Sequence, residues 1–158
     1  KILKTFSNKI QCPITSIAIS NDGNGYVAGG QNGIVEANLS GSGADLIPCH
    51  RENSQTQGVV EVYASNCIAL SNIQQKNVII SGGGNGTLEY INAETLAKTY
   101  TKKMNTKGDP VTACAIIPKS KIYLVATGND WAGGADSVKT TFQPEMTIRM
   151  FSQKEITG

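Results

Sequence analysis

Short apolar runs separated by polar turn residues extend along most of this chain. In three places the same order recurs: an apolar, largely β-branched run, a turn, a second apolar run and then a Gly-rich segment, at 28–33, 81–86 and 126–131. Runs of this length with Asn, Asp and Gly between them predict β-strands and tight hairpins. Segment 93–103 is the only helix candidate, and a strand-to-strand connection explains it equally well. The pattern therefore predicts an all-β fold built from repeats.

The repeats are spaced like the blades of a propeller. Ala18, Ala69 and Ala115 hold the same place in successive repeats and lie roughly 50 residues apart, close to the ~40–45 residues of a four-stranded WD-repeat blade. We expect three blades, which cover 1–45, 46–100 and 101–158. Because a closed ring needs about 4–8 blades, the chain is predicted to be the C-terminal part of a single β-propeller and to pack against missing N-terminal blades.

Two stretches interrupt the repeats. Residues 40–58 start with Gly and Ser and have a polar body, so we expect a loop insertion between the first two blades. A second polar stretch, 132–143, is predicted to be a surface insertion in the last blade. The strand resumes after it, and Met146, Ile148 and Met150 alternate with polar residues as a half-buried strand would.

Composition narrows the range of functions. The 14 basic and 12 acidic residues give a net charge of only +2, so any electrostatic site must be local. The cysteines lie far apart without a CxxC pair and are expected to be reduced thiols, mostly in the core: Cys12, Cys49, Cys67 and Cys114. With one histidine and no second ligand pair, no metal or other cofactor is expected. No stretch approaches the ~18–20 apolar residues of a membrane span.

The residues give little support to catalysis. The single histidine, His50, is adjacent to Cys49, and neighbouring side chains on a strand point to opposite faces. Glu52 and Glu61 lie nine residues apart, at either end of a loop, without the spacing that would place a carboxylate pair on one face. We therefore predict a binding protein and not an enzyme.

Three local motifs carry a resemblance to a known family. They are the segment Pro48-Cys49-His50-Arg51, the glycine turn at 82–88, and a strand at 110–114 that is followed by a loop at 126–134. In these motifs the chain resembles the last blades of WD-repeat mRNA export factors of the Rae/Gle type, whose close relatives are the Bub-type mitotic checkpoint propellers. The Asp130-Trp131 pair in that loop favours the export branch, and the checkpoint branch remains the alternative.

The resemblance implies binding of a peptide segment. Similar propellers clamp the GLEBS motif of a nucleoporin in the export branch, or a segment of checkpoint kinases in the checkpoint branch. It also implies a location in the nucleus and at the nuclear pore. By the resemblance, Arg51 would meet a glutamate of that segment, and a guanidinium is well suited to hold a carboxylate through two parallel hydrogen bonds. The alternative is that Arg51 is a solvated loop cation.

Three further residues are candidates for partner binding, each with a structural alternative. His50 would contact the bound segment or act as a pH-sensitive neighbour of Arg51, or else pack its ring and cap a carbonyl group. Trp131 would be an exposed aromatic anchor, or else a ring packed across the blade edge. Asp130 would then bond the turn backbone, as aspartate often does.

A basic cluster crosses the expected boundary between the second and third blades and suggests contacts to single-stranded RNA. Its residues lie close together without an acidic residue between them: Lys98, Tyr100, Lys102, Lys103 and Lys107. Lysines could follow the phosphates while the ring stacks on a base. Other basic and aromatic residues of the export branch are missing around it, however, and a solvated loop between blades is the alternative.

Overall fold

The computed structural model describes residues 9–39, 43–104, 108–129 and 144–157, together with Lys1, Thr5 and Ser7. These residues are almost entirely β-structured, which confirms the predicted fold class. They contain thirteen strands and one short helix: β1 (Ile14–Ile19), β2 (Tyr26–Gly30), β3 (Ile34–Asn38), β4 (Asp45–Pro48), β5 (Arg51–Asn53), β6 (Val60–Val62), β7 (Ser65–Ile73), β8 (Lys76–Gly83), β9 (Thr87–Asn92), β10 (Lys98–Lys103), β11 (Val111–Ile116), β12 (Ile122–Thr127), β13 (Glu145–Met150) and α1 (Gln153–Thr157).

Most strands belong to three antiparallel sheets, each a meander in chain order. Blade 1 consists of β1–β4 and blade 2 of β7–β10, while blade 3 has β11–β13 within the described part of the chain. Strands β5 and β6 form a separate hairpin that links blades 1 and 2 along the chain. The last strand of blade 1 ends at Pro48 and that of blade 2 at Lys103, a few residues past the expected boundaries.

The blades repeat one another in detail. Each first strand has a β-bulge near its start, after Ile14, Ser65 and Val111. In blades 1 and 2 the turn between the second and third strands has a glycine in the left-handed region, with φ of 67° at Gly33 and 74° at Gly86. Because a Cβ atom is strained there, the recurring Asn-Gly pair suits this turn. The shared registers allow equivalent residues to be matched from blade to blade.

Neighbouring blades stack with the first strand of one against the first and second strands of the blade before it. A Cβ atom added to Gly29 would collide with the Ser65 side chain, and one added to Gly82 would collide with Val111. Both glycines hold the same repeat position, opposite the bulge. Glycine therefore lets β7 and β11 approach the preceding sheet closely.

Apolar clusters between the blades form the core. Between blades 2 and 3, the rings of Tyr90, Tyr123 and Phe151 pack with centroids 4.4–6.1 Å apart. The hydroxyls of Tyr90 and Tyr123 hydrogen-bond each other at 2.8 Å, so each of these two buried groups has a partner. Helix α1 returns to blade 2, where the Glu155 carboxylate lies 2.7 Å from the Lys102 ammonium.

The expectation that residues 40–58 form only a loop is wrong. They include β4, the fourth strand of blade 1, and the first strand of the β5–β6 hairpin. The signal was weak because β4 has four residues and only Ile47 in it is buried. Segment 93–103, for which a helix and a strand connection were both open, contains strand β10 and no helix.

The predicted half-buried strand after the last insertion is present, but its apolar side is not covered. Met146, Ile148 and Met150 are 72%, 68% and 68% exposed. Alternation correctly predicted which side chains share a face; burial was wrong because no described element packs on that face.

Some of the predicted features fall outside the described residues. These are the insertion at 132–143, Asp130, Trp131 and Lys107, which remain predictions. Within the described ranges, no helix has the length and apolar character needed to cross a membrane.

Candidate partner-binding site

Arg51 lies on an exposed face of the β5–β6 hairpin. It begins β5 and pairs with Val62, while Asn53 pairs with Val60 two residues further along. Since alternate residues of a strand share a face, these four residues form one surface, which we call the hairpin face. Val60 and Val62 are 52% and 47% exposed. The hairpin face therefore places a cation beside accessible apolar side chains.

The Arg51 guanidinium is available for a partner. Among the described residues it has no hydrogen bond and no ion pair within 4 Å. The nearby acidic residues, Glu52 and Glu61, lie opposite each other in the register of the hairpin, on the side opposite Arg51. No described acid therefore competes for its planar fork of donors.

The other side of the hairpin is held by hydrogen bonds. Asn85, in the glycine turn of blade 2, donates to the Glu52 carboxylate at 2.9 Å. The Tyr63 hydroxyl donates to Glu61 at 2.5 Å, and this bond raises the pKa of Tyr63 to about 12 while lowering the pKa of Glu61. The Glu52 contact ties the hairpin to blade 2 and fixes which face it presents.

His50, immediately before Arg51, lies at the centre of a buried hydrogen-bond cluster. Its Nε2 atom is 2.7 Å from the Ser81 hydroxyl and its Nδ1 atom is 3.1 Å from the Thr87 hydroxyl. Ser81 contacts the Ser65 hydroxyl at 2.7 Å, and Thr87 donates to Asn85 at 2.8 Å. Because the Thr87 proton is used on Asn85, Nδ1 of His50 carries the ring proton and Nε2 accepts from Ser81.

The backbone at His50 is fixed as firmly as its ring. The residue has φ of 50°, and its N–H donates to the Glu89 carboxylate at 2.8 Å. Its carbonyl accepts from the Tyr63 N–H at 3.0 Å. The other oxygen of Glu89 lies 3.2 Å from the Lys98 ammonium. Because both backbone groups of His50 are hydrogen-bonded, the direction in which the next residue, Arg51, leaves the backbone is fixed.

This geometry does not fit direct contact between His50 and a partner. The side chain is fully buried, and burial lowers the pKa of the imidazole from 6.5 to about 4. The ring is therefore neutral near pH 7 and reaches no solvent. The ring is packed inside blade 2, as the structural alternative expects, but its nitrogens contact the hydroxyls of Ser81 and Thr87 and not a carbonyl group.

The basic cluster has less free charge than its sequence suggests. Lys98 pairs with Glu89 and Lys102 with Glu155. The Tyr100 ring is half-buried, packs 6.0 Å from the Tyr90 ring, and has the Lys154 ammonium 4.9 Å above its centre. Lys103 is exposed. Contacts to RNA through these residues stay a prediction, with two cations already neutralised.

The thiols and acids form no further reactive centre in the described ranges. All four cysteines are free, and burial raises the pKa of the Cys49 thiol well above its ordinary value. No group of three or more His, Cys, Asp and Glu side chains in the described part of the chain has metal-binding geometry. The chemistry that the hairpin face offers is ion pairing and apolar contact.

Reasoning from sequence missed the residues that support His50. Blade 1 has an apolar version of the polar cluster in blade 2. Ile10 holds the place of His50, Ala28 that of Ser81, and Ile34 that of Thr87. The buried acid is shared, since Glu36 accepts from the Ile10 N–H as Glu89 does from that of His50. Aligning the sequences of the two repeats would have shown that these three positions change together from apolar to polar residues.

The sequence is similar to that of one known protein over part of its length. No family model matches the chain. It is 27% identical over 101 residues to Protein Rae1 of Drosophila melanogaster, a match that covers 64% of this chain and 28% of Rae1. The sequence similarity therefore extends over part of a considerably longer protein.

Solved structures give the fold. The chain is similar to the WD40 repeats of RRP9, with a TM-score of 0.59, 16% identity, and coverage of 75% of this chain and 34% of that one. For a chain of the mitotic checkpoint complex the TM-score is 0.55 at 22% identity, with coverage of 73% and 32%. The chain thus has the fold of WD40 propeller blades and spans about a third of the length of the chains it matches.

Proposed function

We propose that the chain is part of a non-enzymatic WD-repeat scaffold that binds a GLEBS-type nucleoporin segment in mRNA export through the nuclear pore. The propeller fold and the similarity to Protein Rae1 support this proposal. The observation that carries it is the exposed, unpaired Arg51 guanidinium on the hairpin face, among the residues described.

The hairpin face suits a segment with an acidic residue next to apolar ones. A glutamate would receive two parallel hydrogen bonds from Arg51, which is the strongest way a carboxylate pairs with a side chain. Apolar residues of the same segment would cover Val60 and Val62. Covering them excludes water from the ion pair and strengthens it.

A rigid support raises the affinity of such a site. The hydrogen bonds around His50 and the bond from Asn85 to Glu52 hold the hairpin before any partner arrives. Less conformational entropy is then lost on binding. This gives the buried cluster a functional role without contact to the partner.

The export branch is the preferred assignment, and the checkpoint branch is the second. The predicted Asp130-Trp131 pair and the similarity to Protein Rae1 support export at the nuclear pore. The checkpoint branch would use the same hairpin face for a segment of a checkpoint kinase. The bound peptide distinguishes the two branches.

Calorimetric titration of the chain with the two peptides tests the proposal. We expect binding of the nucleoporin GLEBS peptide and a loss of about 2–5 kcal/mol in the Arg51→Ala variant, much of it from the unpaired carboxylate. Lys76→Ala is the matched control because it removes one exposed cation from the far end of β8. Its affinity should equal that of the unmodified chain.

Three results would speak against the proposal in different ways. Preference for the kinase peptide would move the protein to the checkpoint branch. Equal losses in Arg51→Ala and Lys76→Ala would mean that binding depends on net charge and not on the hairpin face. Absence of binding to either peptide would leave a WD-repeat protein without this function.

A further inference from the structure

A cleft lies between blades 1 and 2, at the end of the blades where the first strand turns into the second. It measures about 330 Å³ and is lined by residues 20–22 and Leu39 of blade 1 and by residues 70–72 and Asn77 of blade 2. Ligand sites in proteins typically measure roughly 300–1,000 Å³. The cleft therefore has room for a small ligand or for one long side chain of a partner.

The cleft is separate from the hairpin face. Successive turns of an antiparallel meander lie at opposite ends of the sheet. The hairpin contacts the turns between second and third strands, since Val62 lies close to Gly33 and Asn85 donates to Glu52. The cleft lies at the turns between first and second strands, so it offers a second site at the opposite end of the blades.

The blade 2 side of the cleft is an extension that the other two blades lack. Strand β7 continues to Ile73, past Leu70, the position at which β1 and β11 end in their own blades. It pairs with β8 as far as a two-residue turn, Gln74-Gln75, whose φ angles of 51° and 65° are those of a type I′ hairpin turn. The extension forms one side of the cleft, opposite the first turn of blade 1.

The extension presents amide groups to the cleft. Alternation along β7 puts Asn72 on the same side as Ile68 and Leu70, which pack in the core between blades 1 and 2. Asn77 is its partner in register, and the Asn72 amide N–H donates to the Asn77 side-chain carbonyl at 3.0 Å. Among the described residues, the remaining carbonyl of Asn72 has no donor, so it is available to a ligand.

Asp22 provides the only charge among the described residues that line the cleft. Its carboxylate accepts from the Ser20 hydroxyl at 2.5 Å and from the Asn24 backbone N–H at 3.1 Å, and these bonds lower the pKa of Asp22. Within the described ranges, no lysine or arginine pairs with this carboxylate. The cleft therefore holds a fixed negative charge without a cation of its own.

Apolar surface adjoins these polar groups. Leu39 and Leu70 line the cleft from the two blades, and both are half-buried at the edge of the core between them. A fitting ligand thus combines an alkyl stem with a cationic group that donates several hydrogen bonds. Arginine has this combination, because its stem packs on apolar surface while its planar fork of five N–H donors bonds more than one acceptor.

We propose that the cleft binds the side chain of an arginine from a partner protein. The guanidinium lies against the Asp22 carboxylate and the Asn72 carbonyl, and the stem covers Leu39 and Leu70. A lysine fits less well, since its compact ammonium lacks the planar fork that bonds separate acceptors. The partner thus contacts the blades at a second place, independently of any segment on the hairpin face.

Nuclear magnetic resonance titration of the chain with Nα-acetyl-arginine amide tests this site. We expect saturable shifts at millimolar concentration in the amide signals of Asp22, Asn72 and Asn77, as suits a ligand of this size. Asp22→Asn should weaken binding about tenfold or more because a charge-assisted hydrogen bond is lost. The new amide still accepts from Ser20, so the turn should survive. Glu145→Gln, at the opposite end of blade 3, is the matched control and should bind normally.

A neutral ligand and a second variant complete the test. Nα-acetyl-citrulline amide has nearly the same shape without the charge and should bind about tenfold more weakly. Asn77→Lys, an exposed position, places a cation in the cleft and should block the arginine compound. The proposal would be overturned by equal binding of the two compounds, by unchanged affinity in Asp22→Asn, or by the absence of saturable shifts. A response to calcium chloride but not to the arginine compound would overturn it in favour of a metal site.

Discussion

His50 and Arg51 are neighbours in the chain, yet the first is buried and the second is exposed. The imidazole is enclosed in blade 2 with a hydrogen-bond partner on each nitrogen, while the guanidinium points to solvent. Sequence motifs could indicate that the pair matters, but not which member is accessible. That depends on Ser81, Thr87 and Glu89, which lie more than 30 residues away along the chain.

The cluster around His50 should behave as a unit. We expect His50→Ile to destabilise the fold by about 1–3 kcal/mol because the buried Ser81 and Thr87 hydroxyls each lose one of their two hydrogen-bond partners. Adding Ser81→Ala and Thr87→Ile copies the apolar cluster of blade 1 and should recover much of the loss. Urea unfolding of the single and triple variants measures both quantities. A triple variant less stable than the single one would show that the polar cluster has no apolar equivalent here.

The depressed pKa of His50 also makes stability depend on pH. Above pH 6.5 the ring is neutral in both the folded and unfolded states, so its contribution is complete. Between pH 6.5 and about 4 only the unfolded state takes up the proton, so the free energy of unfolding should fall by as much as roughly 3 kcal/mol. The triple variant, which has no histidine, should lack this part of the slope. Equal slopes in the two proteins would place the acid sensitivity elsewhere.

At the scale of strands and turns, the sequence predicted the elements whose signal is local. Apolar runs and Asn-Gly turns correctly indicated the first three strands of blades 1 and 2, because spacing and turn conformation are encoded within a few residues. Strand β4 escaped notice because its stability comes from pairing with β3 and from one buried residue, Ile47. The orientation of the β5–β6 hairpin could not be predicted either, because it depends on a contact with Asn85, which is distant along the chain.

The close packing between neighbouring blades depends on the glycines at positions 29 and 82. We expect Gly82→Ala to destabilise the fold by about 1–3 kcal/mol, because the added methyl group collides with Val111 across the interface. Gly43→Ala is the matched control, since a Cβ atom there meets nothing within 4 Å. Thermal unfolding of the two variants measures the difference. Similar melting temperatures would mean that the blades are packed less tightly than described.

At the scale of the whole molecule, the sheets of the three blades pack on one another in chain order, and the hairpin face is a separate surface. The stack is fixed by inter-blade cores, and the hairpin face is tied to it through Glu52 and His50. The proposed contact with a peptide and the packing between blades therefore use separate surfaces. Variants on the hairpin face should leave the packing between blades unchanged, so peptide affinity and stability can be measured independently.

The central claim is that Arg51 meets a glutamate of the bound segment, and a double-mutant cycle tests it most directly. Peptide affinity is measured by calorimetry for the chain and Arg51→Ala, each with the nucleoporin peptide and with a peptide whose glutamate is replaced by glutamine. We expect a coupling energy of at least about 1.5 kcal/mol between the two changes, as for close charge pairs at other interfaces. Losses that simply add, with no coupling, would contradict the assignment of Arg51.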